Sequence, residues 1–161
     1  GIVLGYYAHV YEYVDQLVDF LRSIPPIVFY PLLLIILGPG DSSRIGVSFI
    51  GSIVIIILII SKGLFQQSSL RRNYFASLGA GKMAVLKHVV WYEALPHIMT
   101  ALRTAVSLSI IIIIVTEMLV GSRYGLGSRV QNVQITNNIP DLFATIIIIG
   151  LMGVVFNRFM I

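Results

Sequence analysis

The sequence contains no cysteine and few charged residues, and each shortage excludes a class of protein. Without cysteine the 161-residue chain cannot form disulfides, bind zinc through thiolates or use a thiol as nucleophile. Only 11% of its residues are charged and 57% are hydrophobic, whereas a soluble domain has about 25% charged and about 45–50% apolar residues. Such a chain cannot cover its own surface with polar groups, so we predict an integral membrane protein that lies in the lipid bilayer.

The bases and histidines form no pattern that is typical of a nucleic-acid or metal site. The net charge is +4, but the lysines and arginines are scattered among apolar runs, so no nucleic-acid partner is expected. The three histidines lack the spacing of a metalloprotease motif, and Gly81 with Lys82 lacks the other residues of a phosphate-binding loop. We therefore predict no metal, no cofactor and no catalytic residues.

Apolar stretches between charged or polar residues predict the membrane spans. Uncharged lengths of 16–18 residues exceed an ordinary strand and lack the strict alternation of a transmembrane barrel, so helices are expected. We predict an all-α bundle in which residues 1–161 form a single transmembrane domain, a fragment that lacks one or more N-terminal spans. The predicted spans are about residues 24–38, 45–61, 97–119 and 141–158.

The distribution of basic residues predicts the orientation of these spans. If the span that ends at Ser61 emerges in the cytoplasm, eight of the eleven lysines and arginines lie on that side and three lie outside. Cytoplasmic loops carry the excess of positive charge in membrane proteins. The loop 62–95 is therefore predicted to be cytoplasmic, and the loop 120–139 is predicted to be external.

The loop 62–95 is too long and too patterned to be a simple connector. Leu70, Tyr74 and Leu78 recur at intervals of four residues, and a second apolar stripe covers residues 85–90. The glycine-rich stretch 79–81 separates the two stripes. This pattern predicts two short amphipathic helices joined by an elbow, and on pattern alone a hairpin lying on the lipid surface is an equally good interpretation.

Six short pieces along the chain carry a resemblance to a known family. In order they are Phe20–Pro26, Gly38–Gly40, Asn73–Gly79 with Lys87–Val90 and Ala94–Pro96, Leu102–Arg103, Glu117–Met118, and Gly125–Gly127. Together they resemble the inner-membrane permeases of binding-protein-dependent ABC importers, in the branch that moves nitrate, sulfonates, taurine and bicarbonate. The resemblance implies a type I importer bundle whose cytoplasmic loop contains a coupling helix.

By the same resemblance, part of the cytoplasmic loop contacts the ATPase. The family has Glu-Ala-Ala where this chain has residues 73–75, and a Leu-Pro pair where it has Trp91 and Tyr92. Small alanines fit a narrow cleft, so the two rings at 74 and 75 imply a wider or differently shaped cleft. The implied ATPase-coupling residues are Asn73, Tyr74, Phe75, Ala76, Gly79, Ala80 and Gly81.

Two further sets of residues in the third predicted span are candidates for a role. Ala101, Ala105 and Ser109 recur every four positions, which places small residues on one helix face and predicts close packing against another helix. Glu117 directly follows a long apolar run. It either lines the translocation path, as intramembrane ionisable groups often do, or lies at the headgroup level and pairs with Arg123.

The sequence thus predicts the membrane-spanning permease subunit of an ABC importer, located in the inner or plasma membrane. The subunit would form the path for a small solute and would itself be non-catalytic, with ATP hydrolysed on a separate subunit. The expected partners are cytoplasmic ABC ATPases, an external substrate-binding protein, a second copy of the chain and the lipid bilayer. Two alternatives stay open, an ATP-independent transporter or channel and a non-transporting membrane scaffold.

Overall fold

The computed structural model describes most of the chain. It covers residue 2 and residues 8–66, 74, 75, 77–79, 81–122 and 124–160, with side chains throughout except at 8–14 and 82. Within these residues every regular element is a helix. The predicted all-α class is therefore confirmed.

Six α-helices, labelled in chain order, organise the described residues. Helix α4 covers residues 82–120: it starts as Lys82–Val85, passes through a π-helical turn at Leu86–Val90 and continues as Trp91–Val120. A 3-10 turn, Pro26–Phe29, precedes α2. The other helices are α1 Ala8–Ser23, α2 Tyr30–Leu37, α3 Asp41–Gln66, α5 Leu126–Ile135 and α6 Ile139–Phe159.

Proline and glycine set the breaks between the first three helices. Helix α1 ends at Ser23, because the following prolines carry no N–H group and disfavour helical backbone in the residue before them. Helix α2 ends before Gly38, whose φ of 79° suits a residue without a side chain. The Ser43 hydroxyl donates a hydrogen bond to the Gly38 carbonyl, which fixes the short turn between α2 and α3.

The chain separates into two compact units, of which the first consists of Gly1–Ser23 and Val54–Thr104. Gly63 lies so close to His97 that a Cβ atom there would overlap the imidazole ring. Lys62 Nζ lies 3.6 Å from Asp15 Oδ1 and 3.7 Å from Asp19 Oδ1, so an ion pair ties α1 to α3. The apolar core of this unit is formed by Ile60, Leu64, Val85, Val89, Val90, Ala94 and Ala101.

The second unit consists of Ile24–Ile53 and Ala105–Ile161. A Cβ atom at Gly51 would lie 2.6 Å from Ile112 Cδ1 and 2.9 Å from Pro26 Cγ, so the chain packs tightly at this glycine. The Oγ atoms of Ser52 and Ser109 are 2.7 Å apart and share a hydrogen bond between α3 and α4. The core is formed by Tyr30, Val47 and Ile112, with Ile27, Leu33, Leu34 and Leu108 packed around it.

In the part of the chain that the structure describes, three helices are long and apolar enough to cross a membrane. They are Asp41–Gln66, Met83–Val120 and Ile139–Phe159, each with an 18-residue window of mean hydropathy 2.3 or higher. The broken pair of Asp15–Ser23 and Pro26–Leu37 would add a fourth if it forms one span. These helices fit an integral membrane protein, whereas the orientation of the spans and the boundaries of the loops stay predictions.

Two connecting segments are more helical than the sequence pattern suggests. The second stripe of the loop 62–95 is not a separate short helix, because α4 starts at residue 82 and continues past Pro96. Proline is tolerated inside membrane helices, where neighbouring groups satisfy the freed backbone, and the Thr100 hydroxyl donates to the Pro96 carbonyl at 2.9 Å. The loop 120–139 contains the ten-residue helix α5.

Candidate coupling site

The coupling segment contains a single described helical turn. Tyr74, Phe75 and Ser77 have helical backbone, the Leu78 N–H donates to the Tyr74 carbonyl at 3.2 Å, and the Ser77 hydroxyl donates to the same carbonyl at 2.7 Å. The turn ends at Gly79, where φ is +80°. A positive φ directly after a helical turn is a common way to end a helix.

Two aromatic rings project from this turn. Tyr74 is 63% exposed and Phe75 is 38% exposed. Their ring centroids are 6.2 Å apart in a T-shaped arrangement, which is a favourable geometry for an aromatic pair. The segment therefore offers a preformed apolar contact surface. Three of the predicted coupling residues, Asn73, Ala76 and Ala80, lie outside the described residues.

The two described glycines of the elbow differ in what they require. A Cβ atom at Gly79 would meet nothing within 4 Å, so its demand for glycine comes from the positive φ alone. Gly81 has no positive φ and equally open surroundings, and its carbonyl accepts the Val85 N–H at 3.1 Å as α4 begins. Gly79 is therefore the conformationally constrained residue of the elbow, whereas neither a positive φ nor a close contact within the described residues requires glycine at Gly81.

A groove of about 420 Å³ lies on the surface of α4, a few residues after the coupling segment. In the π-helical turn near the start of α4, Val89 and Val90 are buried in the core of the first unit. The groove is lined by Lys87, His88, Trp91 and Tyr92, all of them exposed. The residues that depart from the family pattern at 91 and 92 thus add a second exposed aromatic pair beside two basic side chains.

The three small residues predicted for helix packing are buried or hydrogen-bonded. Ala101 is fully buried in the core of the first unit. Ala105 is 5% exposed, and Ser109 shares the hydrogen bond with Ser52. These environments suit close helix packing, a role that stays a prediction for all three residues.

Glu117 lies near the end of α4 and caps another helix. Its Oε2 atom accepts a hydrogen bond from the Gly127 N–H at 2.8 Å. Gly127 is the second residue of α5, and the N-cap residue of that helix, Gly125, has no side chain with which to bind the free N–H groups. A carboxylate is favoured at a helix N-terminus by the helix dipole. The predicted partner of Glu117, Arg123, lies outside the described residues.

Two glycines make this capping contact possible. Gly125 has a φ of +138°, and a Cβ atom there would overlap the Glu117 carboxylate. A Cβ atom at Gly127 would overlap the carbonyl oxygen of Ile114 and lie 2.7 Å from Glu117 Cβ. The backbone of α5 therefore lies so close to α4 that neither of these two positions has room for a side chain.

Next to this cap, Glu117 borders a largely apolar groove of about 220 Å³. With the carboxylate bound to a backbone N–H, the rest of the lining comes from aliphatic and thioether side chains. They are Ile110, Ile113, Ile114, Leu126 and Met152. The groove offers no second charged group to a solute, so it gives no support to the interpretation of Glu117 as an ion-path residue.

The family model described as "Binding-protein-dependent transport system inner membrane component" matches residues 1–160. The chain belongs to this family. The match covers nearly the whole chain and confirms the resemblance that the six sequence pieces indicate. The coupling segment and the capped helix α5 both lie within the matched residues of this inner-membrane component.

Named relatives of this inner-membrane component include permeases for small anions. The chain is 33% identical over 158 residues to a protein of Methanocaldococcus jannaschii that is named as an ABC transporter permease, and it covers 59% of that relative. It is 30% identical over 159 residues to the nitrate import permease of a Synechocystis species, covering 58% of it. It is 30% identical over 159 residues to the bicarbonate transport system permease of Synechococcus elongatus, covering 57% of it.

In these three alignments, 98–99% of the chain is matched. The chain spans less than three fifths of the length of each of these relatives. Membership of the family is thus established for the chain, and permeases named for nitrate and bicarbonate are among its relatives. The activity, solute and partners of a whole transporter are proposals.

Sequence reasoning missed two contacts that the structure shows. It treated Glu117 and the Gly125–Gly127 pair as separate pieces of a resemblance, although the glycines are what allow the carboxylate to reach α5. It gave no role to Gly63, which makes room for His97. A glycine within a long apolar helix is a signal for close approach, but a single sequence does not say which residue approaches.

Proposed function

We propose that the chain is the membrane-spanning permease subunit of an ABC importer and that residues 73–81 contact a cytoplasmic ATPase. The observation that carries the proposal is the exposed pair of Tyr74 and Phe75 on a helical turn that Gly79 ends. Two exposed rings on one turn are a costly surface to leave in water, and burying each ring contributes about 1.5–3 kcal/mol. The family relationship supports a partner protein as the surface that buries these two rings.

The proposed mechanism is alternating access. ATP binding closes a pair of ATPases, the turn at 74–79 follows that movement, and α4 carries the movement into the membrane because it is one helix from residue 82 to residue 120. ATP must bind more tightly to the outward-open state than to the inward-open state, since a ligand shifts an equilibrium only by its difference in affinity. ATP hydrolysis is assigned to the ATPase, and no catalytic group is assigned to this chain.

The proposed assembly is a pair of these subunits with two ATPases and an external substrate-binding protein, in the inner or plasma membrane. The described residues offer three to four helices that could span a membrane, and the proposal includes a second copy of the chain so that helices of both copies enclose the solute path. The relatives named for nitrate and bicarbonate support small anions as the first solutes to test.

The test removes the two rings together. Tyr74→Ala with Phe75→Ala is expected to release the ATPase from purified membranes, because the loss of two ring contacts lowers the affinity by about two to four factors of ten. Phe20→Ala is the matched control, since Phe20 is 63% exposed on α1 of the same unit. Recovery of the ATPase with the double variant at the yield of the control would contradict the coupling role.

A further inference from the structure

We propose that Glu117 is a positioning residue that locks α5 to the end of α4, so that α5 moves together with that span. The proposal rests on the proposed function in one respect, because movement of α4 is what the coupling site would drive. The lock itself is a structural claim. It is carried by contacts within the second unit and is tested separately from transport.

The first support is that Glu117 performs a task for which α5 has no local residue. The first N–H groups of a helix need an acceptor, and the N-cap position of α5 is occupied by Gly125, which makes no side-chain bond. The acceptor for Gly127 comes from ten residues earlier in the chain, on another helix. The cap therefore does not merely start α5; it also fixes where α5 starts relative to α4.

The second support is that both glycines at the start of α5 lie against α4, Gly125 against the Glu117 carboxylate and Gly127 against the backbone of Ile114. Any side chain at Gly125 would overlap the Glu117 carboxylate, and one at Gly127 would overlap the Ile114 carbonyl. By contrast, Gly150 and Gly153 on α6 have nothing within 4 Å of a built Cβ atom. The start of α5 therefore packs closely against the end of α4, whereas the glycines of α6 face open space.

The third support is that α5 is also tied to the following span. Arg129 NH2 on α5 lies 3.2 Å from Asp141 Oδ1, in the first turn of α6. Asp141 in turn donates its N–H to the Asn138 side chain, the N-cap of α6, at 3.4 Å. Helix α5 therefore connects the end of α4 to the start of α6 through polar contacts on both sides.

The length and the charge of the side chain at position 117 distinguish a helix lock from a residue of the solute path. Glutamine at 117 has the same length and offers a carbonyl oxygen to the Gly127 N–H, but it carries no charge. Aspartate keeps the charge but ends one carbon earlier, about 1.5 Å short of the donor. A lock therefore tolerates Glu117→Gln and fails with Glu117→Asp, whereas an ion-path carboxylate gives the opposite order.

The experiment measures the joint directly in the purified permease. In the cysteine-free chain, Val120→Cys at the end of α4 and Gln134→Cys on α5 receive spin labels, and the distance distribution between them is recorded by pulsed EPR in lipid nanodiscs. The expected result is a narrow distribution with Glu117 and with Glu117→Gln, and a broad one with Glu117→Asp and Glu117→Ala. Leu119→Ala, a change at a 68% exposed neighbour, is expected to leave the distribution narrow.

A second readout uses the reconstituted complex with the ATPase and the binding protein. Glu117→Asp is expected to lower the stimulation of ATP hydrolysis by the loaded binding protein about tenfold, the order expected when one hydrogen bond is lost. Glu117→Gln keeps an acceptor at the same reach and is expected to retain most of the stimulation. A narrow distance distribution with Glu117→Asp, or a broad one with Glu117→Gln, would overturn the lock whether or not the complex transports. A narrow-to-broad change without loss of stimulation would overturn the coupled movement and leave the proposed function intact.

Discussion

Replacing Gly79 tests the coupling turn with the smallest possible change. Gly79 has a φ of +80°, and an added Cβ atom would touch nothing within 4 Å. Gly79→Ala therefore introduces no steric clash, and its whole cost is the backbone strain of an L-residue in the left-handed region, about 1–2 kcal/mol. This cost lowers the equilibrium ratio of the intact to the opened turn by a factor of about 5–30.

Two matched variants isolate the backbone effect. Gly79→Asn keeps most of the function, because asparagine adopts the left-handed region more readily than other residues with a side chain. Gly81→Ala is expected to be neutral, because Gly81 has no positive φ and a Cβ atom there also meets open space. The three variants differ in backbone demand while the surrounding surface stays almost the same.

The assay is ATP hydrolysis by the assembled complex, with and without loaded binding protein. We expect Gly79→Ala to lower the stimulated rate by no more than about 30-fold, with Gly81→Ala at the unmodified rate and Gly79→Asn close to it. Because the predicted spans are not touched, the amount of permease in the membrane should not change. Equal stimulation in Gly79→Ala and Gly81→Ala would refute the argument that the shape of this turn is needed for coupling.

Two further predictions concern topology and packing. Met83→Cys and Gln134→Cys place single cysteines at exposed positions, and we expect thiol reagents to reach them from opposite sides of the membrane. Labelling of Met83→Cys by an impermeant external reagent in intact cells would contradict the predicted orientation. Gly63→Ala is expected to destabilise the protein by about 1–3 kcal/mol, because the added Cβ atom overlaps His97. Gly150→Ala is the control, because a Cβ atom there meets nothing within 4 Å. Equal melting temperatures of the two variants in detergent would contradict the close contact.

Composition and the lengths of the apolar runs were sufficient to predict an all-α membrane protein. A bilayer requires long apolar helices whose backbone groups are satisfied internally, so runs such as Ile53–Ile60 indicate a helix before any contact is known. The end of α1 at Ser23 has a local cause as well, since Pro25 and Pro26 act on their immediate neighbours, but the sequence analysis predicted only a span over residues 24–38 there. In each case the physical cause is local in the sequence.

The features that sequence reasoning did not predict depend on residues distant in the chain. Helix α5 has a mixed, polar sequence with a glycine at its N-cap, and its cap comes from Glu117 on another helix. Helix α4 continues past Pro96 although a proline often marks a helix start. The elbow was predicted from its glycines, but only the backbone angles distinguish Gly79 from Gly81.

Transport in proteoliposomes tests the central claim most directly. Vesicles are prepared with the permease alone, with permease and ATPase, and with permease, ATPase and binding protein, and the uptake of a mixed pool of small labelled anions is followed with and without ATP. We predict that the solute accumulates above its external concentration only when all three proteins and ATP are present. Equilibration of a solute across vesicles that contain the permease alone would contradict it and would favour an ATP-independent channel.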